Sequence, residues 1–135
     1  MIYHGNRIAL RDGLPADVVQ RALTLMQTVG TAIPAVRSFV VGIDVGADYD
    51  FGAVFVLPDL DGYREYLNHP AHLAVERDGL PLMAKFEAFD ITDDDDADFP
   101  AKVADLQKRH LEAHPDLAAL MAALPTHLGS SATTT

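Results

Sequence analysis

Apolar and polar residues alternate through "IYHGNRIAL", so Ile2, His4, Asn6, Ile8 and Leu10 share one face of a predicted strand. After the turn "RDGLP", Pro15 suits the first turn of a helix. Val18, Ala22, Leu25, Met26 and Val29 then recur at helical spacing, and Gly30 to Pro34 end that helix. Two β-rich runs, "VRSFVVGIDV" and "FGAVFVL", are separated by a short polar turn and read as a hairpin. Asp59 is placed to cap a short helix whose buried stripe is Leu60, Tyr63 and Leu67. Pro70 breaks that helix and opens the next, which Gly79 and Pro81 end. "KFEAFDI" is the fourth strand. The order β-α-β-β-α-β over residues 1–92 predicts an α+β, ferredoxin-like unit.

Beyond it the pattern changes. "DDDDAD" (93–98) reads as a solvated acidic linker. Over 99–125, Val103, Leu106 and His110 line one helical stripe, and Leu117, Leu120, Met121 and Leu124 a second. These stripes are too regular for a disordered linker, so a C-terminal helical extension is expected, docked on the barrel or across to the partner, with a lid over the pocket as one role. Residues 126–135 read as a disordered tail.

Composition narrows the function. The chain of 135 residues fits one domain, and 49% hydrophobic residues suffice for a core. A net charge of −10 argues against nucleic acid and anionic membranes as partners. No apolar run approaches the roughly 20 residues of a membrane span, and no signal peptide is evident. The absence of cysteine removes thiolate chemistry and Cys-ligated zinc, and fits a cytoplasmic location.

The chemistry gathers in "YREYLNHPAHLAV", where Tyr66, His69 and His72 surround Pro70. This is either a polar helix junction or the floor of a site. His69 fits the junction, bonding backbone. A metal on His69 and His72 would need further ligands, and no HExxH pattern supplies them, so no metal is expected. His4 and Asn6 on a buried strand face need polar partners, which makes them candidate pocket liners.

"IPAVRSFVVGIDV", "YLNHPAH" and "FDIT", in this order of elements, resemble the stress-responsive dimeric α/β-barrel (Dabb) family. The resemblance implies two four-stranded sheets packed face to face across a homodimer two-fold, with a small-molecule pocket between each sheet and its own helices. The plant olivetolic acid cyclase, a member of that family, closes a polyketide ring without cofactor. Similarity to it implies catalytic roles for Tyr66, His72, His4 and Asp90. On that reading His72 is the base, Asp90 orients its ring, and Tyr66 and His4 donate to the enolate oxygen of a carbonyl substrate. Asn6, where the cyclase has an apolar residue, points to a more polar substrate. Ile8, Leu25, Phe51, Ala53, Phe55, Phe86 and Ala88 are expected as core and pocket wall, and Arg7 should face the dimer barrel and need an acidic partner. The function expected is a cofactor-independent cyclase or lyase-type enzyme. The rivals are a non-catalytic stress-response binding protein, with His72 merely a buried, carboxylate-satisfied histidine, and a dimeric-barrel oxygenase or haem protein.

Overall fold

A computed structural model describes residues 1–46 and 48–132. The strands are β1 (Ile2–Leu10), β2 (Ser38–Ile43), β3 (Phe51–Leu57) and β4 (Met83–Thr92), with helices α1 (Ala16–Ala32), α2 (Leu60–Asn68) and α3 (Pro70–Gly79) between them. The predicted β-α-β-β-α-β order is the observed one, and the four strands pair antiparallel in the order β2-β3-β1-β4.

Local chemistry sets the helix ends. Pro15 stands in the cap position of α1, extended and without a side-chain bond. The Asp59 carboxylate accepts from the Gly62 amide at 2.8 Å and starts α2. His69 ends α2 and caps α3, its Nδ1 accepting from the Ala71 amide at 3.1 Å, and Pro70 occupies the first helical position. This is the junction role expected of His69.

All three helices cover one face of the sheet. Ile8, Ala53, Phe55, Phe86 and Ala88 meet Met26, Val29, Tyr63, Tyr66 and Leu67 in one core. The other face carries Tyr3, Val40 and Ile91, each at least half exposed. Arg7 lies on that face too, and its acidic partner comes from its own chain: Asp44 accepts two hydrogen bonds from it, at 2.8 and 2.9 Å.

The C-terminal segment departs from expectation at its end. Helices α4 (Phe99–Ala113) and α5 (Pro115–Ala122) dock on the domain, α4 against α2 and α5 against α3. They bury Phe99, Val103 and Leu117. Each such side chain contributes about 1.5–3 kcal/mol. Residues 126–135 are not a disordered tail throughout. Thr126–Gly129 forms β5, which pairs parallel with β4 and makes a five-stranded sheet. The edge of β4 offers unpaired backbone groups, and this short strand satisfies them. Residues 133–135, also assigned to the tail, lie outside the described residues.

Gly129 makes the docking of β5 possible. Its φ is +87°, and a Cβ there would collide with the Ala88 carbonyl oxygen. Gly129→Ala should therefore detach β5 at a cost of at least about 1 kcal/mol. The change should appear as faster amide exchange along Lys85–Ala88 and a lower melting temperature. Unchanged exchange would show that β5 does not depend on this contact.

Candidate functional site

Strand alternation and helix periodicity deliver His4, Asn6, Tyr66 and His72 to one small cavity between the sheet and α2–α3. Its walls include Ile8, Phe86, Ala88 and Glu76, and the C-terminal segment closes it with Gln107, Met121 and Ser131. The cavity is about 60 Å³. That is room for a few waters, well below the roughly 300–1,000 Å³ of pockets for drug-sized ligands.

Two histidine–carboxylate pairs flank this space. His4 Nδ1 lies 2.7 Å from Asp90 Oδ1. They are directly opposed in the β1–β4 register, which accounts for the contact. The Tyr63 hydroxyl donates to Asp90 Oδ2 at 2.9 Å, and Gln107 Nε2 of α4 donates to that hydroxyl at 3.0 Å. Burial raises the Asp90 carboxyl, but bonds from His4 and Tyr63 outweigh it and hold the group below its ordinary range.

His72 has a different partner from the one expected. Asp90 does not orient it, because the β1–β4 register gives that carboxylate to His4. His72 Nδ1 instead lies 2.8 Å from Glu76 Oε1, one helical turn on, and 2.9 Å from the Leu67 carbonyl. The same Oε1 is 2.7 Å from Nε2 of His110 on α4. His110 Nδ1 faces Asn68 Oδ1 at 3.0 Å, and Asn68 is itself oriented by donating to the Arg64 carbonyl. Burial raises the Glu76 carboxyl, yet the charge of His72 and the bond from His110 prevail, holding it at about 2. Tyr66 packs its ring 4.4 Å from that of His72. Burial keeps its hydroxyl protonated well above the usual tyrosine range, so at neutral pH it is a donor.

In both pairs the carboxylate faces Nδ1. Among the described residues no protein group bonds Nε2 of His4 or His72. Neutral rings held this way carry the proton on Nδ1 and leave a lone pair on Nε2, the arrangement a general base needs.

The remaining expected wall residues separate. Phe51 lines a neighbouring apolar cavity of about 30 Å³ with Leu10, Val19 and Met83. Phe55 packs on Tyr66, and Ala53 lies in the core; neither lines the cavity that holds the histidines. Leu25 also stays outside both linings, where α1 presents Met26 instead. Sequence reasoning missed Tyr63, Glu76, Gln107 and His110 as site residues. The i,i+4 spacing of His72 and Glu76 was a legible signal. Gln107 and His110 carried none: a lid over the pocket was one expectation for the extension, but its stripe does not say which polar side chains turn inward.

His72, Glu76 and His110 could also be read as metal ligands, since one donor atom from each lies within 4.8 Å of the others. The fit is poor. His72 Nδ1 faces the Leu67 carbonyl, which selects a protonated nitrogen. A larger open groove, about 1060 Å³, runs along Asp90, the acidic segment and α4. It holds no histidine and adjoins the end of the described chain.

The family model described as Stress responsive A/B Barrel Domain (Dabb) matches residues 2–93. A dimeric ferredoxin-like protein of unknown function from Thermobifida fusca is 30% identical, with 67% of this chain and 89% of that one covered at a TM-score of 0.62. The hydroxynitrile lyase of Passiflora edulis is 10% identical, with 70% and 94% covered and a TM-score of 0.62. SnoaB, a cofactor-independent oxygenase from Streptomyces nogalater, is 20% identical, with 67% and 90% covered and a TM-score of 0.55. The two enzymes share the fold at identities too low to carry function. A search of curated proteins gives no match.

The carboxylate of Glu76 predicts an acid limb. Its folded value, about 2, lies below the ordinary 4.5. A depressed carboxyl stabilises the fold above its unfolded value, and that contribution is lost as pH falls from about 4.5 towards 2. The shift corresponds to about 3 kcal/mol. Urea denaturation of Glu76→Gln should therefore converge on the unmodified protein as pH falls through this window. Parallel curves would show that Glu76 is not held as described.

Proposed function

The chain belongs to the stress-responsive A/B barrel domain family, and on that premise we propose that it is a cofactor-independent enzyme of the cyclase or lyase type, moving a proton on a compact carbonyl substrate. One observation supports the reading: His4 and His72, each with a carboxylate at Nδ1, line one small cavity, and no protein group among the described residues bonds either Nε2. His72 takes the proton at Nε2. Glu76, in place of Asp90, stabilises the imidazolium that forms. Tyr66 donates to the developing oxyanion. His4, starting as the imidazolium that Asp90 stabilises, gives the product its Nε2 proton, and the proton held by His72 exchanges back through solvent. Positioned acid–base groups of this kind contribute about 10²–10⁴-fold each, and an oxyanion donor about 10²–10³-fold.

The cavity volume bears on the substrate. A polyketide chain fits only if α4 and α5 move away, whereas a compact carbonyl compound or cyanohydrin enters with less displacement. The same volume supports a second reading, a small-molecule binding protein whose site is closed in the resting state.

Proton nuclear magnetic resonance in D₂O tests the assignment across a panel of small aldehydes, ketones and cyanohydrins. The protein should catalyse deuterium exchange next to the carbonyl, or cleavage, for a subset. His72→Ala should lose about 10²-fold or more of that rate. Tyr66→Phe should lower kcat more than it raises KM. Full activity in His72→Ala removes the mechanism, and saturable binding without exchange or cleavage favours the binding protein.

We also propose a homodimer through the sheet face opposite the helices. Tyr3, Val40, Ile91 and Leu128 are exposed there, on neighbouring strands. A contiguous apolar face is seldom left bare by a monomer. Light scattering should give about twice the protomer mass of 14.6 kDa; the protomer mass at micromolar concentration would count against this interface.

A further inference from the structure

The matched domain ends at residue 93, yet a buried ionisable residue from beyond it touches the pocket's own carboxylate. We infer that His110, on α4, is a positioning residue of the site: it clamps the Glu76 carboxylate, and the clamped carboxylate holds His72 with Nδ1–H inward and Nε2 towards the cavity. For the statement that His72 acts as a base this rests on the reading above; the positioning itself does not.

The geometry leaves little choice of protons. Asn68 donates its amide nitrogen to the Arg64 carbonyl, so its oxygen faces His110 and accepts from Nδ1–H. The other ring nitrogen of His110 points at Glu76 Oε1, a second acceptor. His110 satisfies both bonds only as the imidazolium. It thus neutralises a carboxylate that would otherwise stand buried with His72 as its only cationic partner. An unshared buried carboxylate would draw a proton onto His72 and convert the base into an acid. Shared with His110, it can orient His72 while leaving the Nε2 lone pair available. His110 is 2% exposed and Glu76 6%, so water does not substitute for either partner. The C-terminal extension is on this account a structural part of the site as well as its cover.

The ring tautomers are measurable without any substrate. Long-range proton–nitrogen correlation spectra of the ¹⁵N-labelled full chain at neutral pH should show His110 protonated on both nitrogens and His72 on Nδ1 alone. A free histidine prefers the opposite tautomer, with the proton on Nε2. Because His110→Leu strands a buried charge and could unfold the protein, the pair is also removed together. Glu76→Met with His110→Phe leaves no charge, and His72 should shift towards the Nε2–H form by about tenfold or more in the tautomer ratio, the worth of a charge-assisted hydrogen bond. His110→Gln keeps a donor for Glu76 but not the charge, and should leave His72 protonated on both nitrogens; His72 staying on Nδ1–H alone would show that the charge of His110 is not what keeps it a base. If His72 keeps Nδ1–H in the double variant, the Leu67 carbonyl alone holds the ring and the inference falls. It falls as well if the unmodified protein takes up one equivalent of Zn²⁺ with loss of the ring protons of His72 and His110, which would make the cluster a metal centre. Tautomers as described, with no exchange or cleavage of any substrate, would overturn only the catalytic reading.

Discussion

A carboxylate taken out of water must be compensated where it stands, and around Glu76 that demand ties the molecule together. Two helices of the domain and one of the extension converge on it through His72, Asn68 and His110. Removing one partner of such a cluster typically costs about 3–5 kcal/mol, because the remaining charge stays buried. The same demand operates at Asp90, answered by His4, Tyr63 and, through Tyr63, Gln107 of the extension. In each network the domain supplies a histidine and its carboxylate, and α4 supplies a further hydrogen-bonding side chain.

This organisation explains why the site is so enclosed. Polar groups on the inner sheet face would be hydrated in an open pocket. Under α4 and α5 they are cut off from solvent, so their interactions strengthen and any unmatched group becomes expensive. The cavity that remains is small, with apolar walls from Ile8, Phe86 and Met121 and polar points at His4, Asn6, Tyr66 and His72. The extension over it is held by the apolar burial of its two helices, and its short edge strand depends on a single glycine.

Much of the domain was legible in the chain. Period-two alternation marked β1, period 3.6 marked α1, and Asp59, His69 and Pro70 sit at the helix ends where their cap chemistry puts them. The convergence of His4, Tyr66 and His72 was also legible, through the family resemblance rather than through spacing. The partners were not. His4 and Asp90 are 86 residues apart, and only the strand register brings them face to face. Asp90 was assigned to His72 because both belong to one site, but a strand side chain reaches its cross-strand neighbour before it reaches a helix on the far wall.

What the sequence by itself determined was the set of elements, the apolar face of each, and the polar residue types on the inner face of β1 and on α2–α3. These follow from local propensity and periodicity, which act over a few residues. What only the tertiary structure decided was which carboxylate serves which histidine, and that Gln107 and His110 are the side chains α4 turns towards the two pairs. The amphipathic stripe of α4 declares that one face is buried but not against what. β5 shows the same limit, since "THLG" carries no strand signal of its own. The open edge of β4 makes it a strand, and the backbone freedom of Gly129 lets it lie there.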